Sequence, residues 1–78
     1  MKSNLKEEQL LQELKDGQEK TLFLLGRRIV PQLTSEDLLQ PNDYPELENN
    51  PHFRYEEGVL AGIKIVEAAF RALHSQSL

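Results

Sequence analysis

The sequence predicts an all-α fold: an antiparallel helical hairpin with a long, partly helical connection, two copies of which pair into a four-helix-bundle homodimer. Three observations lead there. Apolar residues recur at spacings of three and four along two long segments, and no segment alternates as a strand would. Between those segments Pro31, Pro41 and Pro45 interrupt any continuous helix. The 78 residues include no cysteine, so a core of this size, worth about 3–5 kcal/mol, has no disulfide or thiolate-metal staple. Self-association is the expected remedy. The whole chain, 1–78, reads as one helical domain.

The first helix is expected over about residues 4–30. Ser3 suits its N-cap, and Glu7 and Glu8 suit its positive end. Leu11, Leu14, Thr21, Leu22, Leu25 and Ile29 mark its apolar face, which Leu10 widens. The stripe weakens around Asp16-Gly17-Gln18-Glu19, a run that fits either a glycine stop or an Asp cap with Glu three residues on. Gly17 is a lone breaker among good helix formers, which favours one continuous helix. The run Leu22 to Leu25 is apolar on every side and should be the most buried part, with Gly26 permitting close approach. Arg27 and Arg28 suit the negative end, and Val30 before Pro31 should close the helix.

The connection spans residues 31–50. Thr34-Ser35-Glu36-Asp37 ahead of Leu38 and Leu39 is a helix-start signal and predicts a short helix over about 35–39. Asn42-Asp43-Tyr44-Pro45 reads as a turn, and Pro45 to Glu48 as a further single helical turn. Leu33, Leu38, Leu39, Tyr44 and Leu47 are expected to pin this segment over the open end of the helical pair.

The second long helix is expected over about 51–74, with Asn50 as N-cap and Pro51 at the first helical position. Val59, Ile63, Val66, Phe70 and Leu73 form a heptad-type stripe, and Gly58, Gly62 and Ala69 beside it would let a partner helix come close. These eight residues are the expected packing or dimer surface. Leu60 and Ile65 fall off the stripe and widen the apolar area beyond what one partner helix covers. An antiparallel hairpin would bring Arg27 and Arg28 near Glu56 and Glu57. The tail from Ser75 to Leu78 should fray.

Charge narrows the function classes. The formal net charge is −4, and the acidity lies in the middle: residues 32–58 carry seven acids against Arg54 alone. Lys15, Lys20, Arg27 and Arg28 form no run, so nucleic-acid binding is not expected. No apolar stretch approaches the roughly 20 residues of a membrane span, and the first residues carry no secretory apolar run. The expected location is the cytoplasm, with no membrane partner.

Catalytic and metal chemistry find little purchase. His52 and Glu56 share a helix face, as do Glu67 and His74, yet no Glu has a His three residues on, as carboxylate-bridged bundle sites require. There is no nucleophile elbow, no phosphate loop, and the serines lie at caps or in the tail. No catalytic, cofactor or metal residue is assigned. The reading is a non-enzymatic interaction module: a small homodimeric adaptor, regulator or chaperone-like subunit. Its partners are a second copy of itself and another protein. Tyr44, Leu47, Phe53, Tyr55 and Glu56, aromatic and acidic around the start of the second helix, are the expected site for that other protein. Two alternatives stand beside it: a subunit that folds fully only when its second helix docks on a different protein, and a small metal protein or enzyme using His52, Glu56 or His74.

Overall fold

A computed structural model of the chain describes residues 2–76. Two long helices, α1 (Lys2–Ile29) and α3 (Pro51–Gln76), are joined by a segment holding one short helix, α2 (Pro45–Glu48), and two 3-10 turns, Glu36–Leu39 and Pro41–Asp43. Glu8 meets His74, Lys15 meets Glu67 and Gln18 meets Glu56, so the long helices run antiparallel. The pair is 45 Å long and about 20 Å across. Its radius of gyration, 15.0 Å, exceeds the about 11.5 Å of a compact chain of this length.

Local signals account for the helix ends. α1 runs unbroken through Gly17; the expected Ser3 cap lies outside the described side chains. It stops where Val30 precedes Pro31, with the Val30 N–H still reaching the Gly26 carbonyl. The Asn50 side chain accepts the Phe53 N–H at 2.9 Å, capping α3 at the residue the sequence nominates. Thr34 and Asp37 bond reciprocally, the Thr34 N–H to the Asp37 carboxylate at 2.9 Å and the Asp37 N–H to the Thr34 hydroxyl at 3.4 Å. That backbone hydrogen bond from Thr34 holds the Asp37 carboxyl below the usual carboxylate range. Of the predicted tail, Ser75 and Gln76 continue α3; residues 77 and 78 lie outside the described residues.

The core sits at one end. Leu22 and Leu25 of α1, Val30 and Leu33 beyond it, Leu47 of α2, and Phe53 and Leu60 of α3 form a single buried cluster. Ile29, Leu38 and Tyr44 pack against it from the side. Gly26 makes this closure possible: a Cβ there would lie 2.6 Å from the Leu33 Cδ2 and 3.5 Å from the Phe53 ring. Leu33 thus takes the space that a side chain at position 26 would fill. Leu39, expected to help pin the connection, instead stands 78% exposed.

Beyond this cluster the seam between the helices turns polar. The Gln18 amide donates to both the backbone carbonyl and the carboxylate of Glu56, at 3.0 and 2.7 Å. The Lys15 ammonium meets Glu67 at 3.0 Å, and the Glu8 carboxylate meets His74 Nδ1. The expected ion pairs of Arg27 and Arg28 with Glu56 and Glu57 do not form. Gln18 and His52 hold Glu56, Arg54 holds Glu57, and Arg27 turns back to the Pro31 carbonyl. For Glu57 and Arg27 the partner is local, three or four positions away, and such a bond orders less chain.

Candidate interaction surface

The residues that turn toward α1 set the rotational phase of α3. Phe53, Glu56, Leu60, Glu67 and His74 face inward, with Ile63 and Phe70 half-buried between them. This phase differs from the one the heptad stripe implies. Val59 is half-buried, while Val66 is 44% exposed and Leu73 and Ala69 are exposed. The stripe thus stands on the flank of the hairpin, not in its seam. Gly58 and Gly62 have nothing within 4 Å of a notional Cβ. Within one chain they bring no helix close.

A matching flank exists on α1. Its inward residues are Glu8, Leu11, Lys15, Gln18, Leu22 and Leu25, while Leu10, Leu14 and Leu24 are each at least half exposed. With Gly17 and Thr21 these leucines make a second stripe at spacings of 4, 3, 4 and 3. At 100° per residue this stripe lies about 110° round from the α1 seam, and Tyr55, Val59, Gly62, Val66 and Leu73 lie about as far round α3 in the same sense. In antiparallel helices equal rotations in one sense arrive on the same side of the pair. A shallow pocket of about 230 Å³, shared by Thr21, Leu24 and Arg28 of α1 with His52 of α3, bears this out. One broad side of the hairpin is therefore uncharged from Leu10 to Leu24 of α1 and from Tyr55 to Leu73 of α3.

The outer side of α3 extends that surface. Between Gly58 and Leu73 the charged residues are Lys64, Glu67 and Arg71, confined to an arc of about 60°. The remainder, including Ala61, Ile65 (70% exposed), Ala68 and Ala72, carries no charge. The accessible surface totals 5795 Å², about 900 Å² above the about 4,900 Å² expected of a compact 9.0 kDa monomer. One partner in a standard protein interface contributes about 800 Å².

The five residues expected to receive another protein are divided by the fold. Leu47 and Phe53 are fully buried, Glu56 is tied to Gln18, and Tyr44 is half-buried, its hydroxyl pKa raised by desolvation and then by the Asp37 carboxylate. Tyr55 alone of the five is broadly open to solvent. His52 and Glu56 lie 3.5 Å apart on α3, and His74 is held near Glu8 at the far end, its ring edge-on to Phe70. Among the described residues no three His, Asp or Glu side chains are grouped to hold a metal ion, and no helix is long and apolar enough to cross a membrane. Compared with family models, curated proteins and solved structures, the chain matches none.

Proposed function

We propose that this protein is a homodimeric, non-enzymatic interaction subunit, an adaptor, regulator or chaperone-like component built as a four-helix bundle. The observation that carries the reading is the coincidence of two exposed apolar stripes, Leu10-Leu14-Leu24 and Val59-Val66-Leu73, on one side of the hairpin. A second copy related by a two-fold axis offers the same stripes in return, and an isologous contact of this kind closes without open ends. Gly58, Gly62 and Ala69 border the stripe on α3, so the two α3 helices can cross closely there. The surplus of about 900 Å² matches what each copy would bury. The one-ended core supports the same conclusion, since among the described residues the other half of the hairpin has no buried cluster of its own.

The test is Val66→Asp. Its side chain points away from the seam, so a carboxylate there stays hydrated and the helices remain folded, yet it would be buried in the dimer. Sedimentation equilibrium should find the wild type near twice 9.0 kDa and the variant near 9.0 kDa, with equal helicity by circular dichroism. A wild type that sediments as a well-folded monomer overturns the proposal.

A further inference from the structure

The opposite side of the hairpin carries a different feature, independent of the dimer face. A groove of about 450 Å³ runs between α1, α3 and the Glu36–Leu39 turn. Its floor and walls are Leu22, Phe23, Leu38, Leu39 and Leu60, and apolar surface dominates it. Lys20 and Lys64 stand at its rim, against Glu19 alone. Both lysines are exposed, and neither is paired with an acid. Arg27 adds a third cation, its guanidinium 5.8 Å from the Phe23 ring centre. With Glu36 opening the turn that walls the groove, three cations there face two acids around apolar side chains, in a chain whose net charge is −4.

We propose that this groove docks an acidic amphipathic helix of another protein. The apolar stripe of such a helix would cover Phe23, Leu38 and Leu39, and its flanking carboxylates would meet Lys20 and Lys64. A helix suits the site better than a small apolar acid because of Leu39. That residue forms one lip while 78% exposed, so a small ligand would lie open to water along that edge, whereas small-molecule sites enclose most of their ligand. A third helix laid between two antiparallel ones covers lip and floor together. The dimer face lies on the other side, so each copy could hold a partner while dimerised.

The experiment uses the full chain and two synthetic peptides of roughly 18 residues, about five helical turns. Both carry leucine at alternating spacings of three and four; one bears glutamate at the flanking positions and the other lysine. Fluorescence anisotropy should show the glutamate peptide binding at least about tenfold more tightly than the lysine peptide. Amide shifts should centre on Phe23, Leu38 and Leu39. The double substitution Lys20→Glu, Lys64→Glu should invert the preference while helicity and sedimentation stay those of the wild type. Equal affinity for both peptides, no binding up to about 1 mM, or shifts centred on Leu10 and Val66 would overturn the proposal. Decanoate filling the groove while the glutamate peptide does not would overturn it too.

Discussion

Gly26→Ala sets two opposing effects against each other at one atom. In a helix interior, alanine is favoured over glycine by about 0.5–1 kcal/mol. At position 26 the new methyl would lie 2.6 Å from the Leu33 Cδ2, and Leu33 would have to retreat by about 0.8 Å to reach ordinary contact. It has little room. Leu33 is only 2% exposed, and Phe53 and Leu38 stand at 3.5 and 3.8 Å from the same methyl. Overpacking of this kind costs about 1–3 kcal/mol, so the substitution should be net destabilising by roughly 0–2.5 kcal/mol. Gly17→Ala in the same helix meets nothing within 4 Å and should stabilise by about 0.5–1 kcal/mol. For a domain of this length 1 kcal/mol corresponds to about 4–8 °C in Tm, so thermal unfolding should order the two variants on either side of the wild type. A Leu33→Ala background removes the clashing methyl, and there Gly26→Ala should recover its helix-propensity gain as a positive coupling in the double-mutant cycle. If Gly26→Ala stabilises as much as Gly17→Ala, the close approach of Leu33 to α1 is wrong.

The polar seam makes an asymmetric prediction. Lys15→Met leaves the largely buried Glu67 with only Arg71, 3.6 Å away and more exposed, and should cost about 1–2 kcal/mol in urea unfolding. Glu67→Leu frees Lys15 to extend into water and should be neutral or stabilising. Equal losses from the two would mean that the pair is not set in a buried seam. The connection should respond to acid. The folded-state pKa of Asp37 is depressed by the Thr34 backbone bond, so its contribution is present above the unfolded value and is lost as pH falls below about 4. The Thr34 amide resonance should therefore titrate at lower pH than that of an unstructured aspartate neighbour, and Asp37→Asn should abolish the transition.

The features legible in the sequence share one property: their determinants lie within four residues of each other. The Asn50 cap, the Thr34–Asp37 pair, the stop at Val30-Pro31 and the continuity of α1 through Gly17 are all of this kind. The two long helices follow from the three-and-four spacing of apolar residues, and the close approach at Gly26 from its lack of a side chain. The rotational phase of α3 was not legible in this way. The apolar character of Val59, Val66 and Leu73 marks a packing surface without saying whether it meets α1 or a second chain. Glu56, Glu67 and His74 can nevertheless face inward, because Gln18, Lys15 and Glu8 lie opposite to satisfy them, 38 to 66 positions away in the chain.

The same distinction divides the candidate sites. Composition and periodicity by themselves determined an all-helical chain with more apolar face than a single hairpin seam can absorb. Only the tertiary structure decided which apolar residues close the core and which are left outside. Leu47 and Phe53 vanish into the cluster beneath Gly26, whereas Leu10, Leu14, Leu24 and Val66 share one outer side and Phe23 and Leu39 border a groove on the other. The reason is physical. Helix formation is governed by neighbours along the chain, but the side each helix buries is chosen by the partner it meets, through the few polar pairs that a wrong rotation would leave unsatisfied.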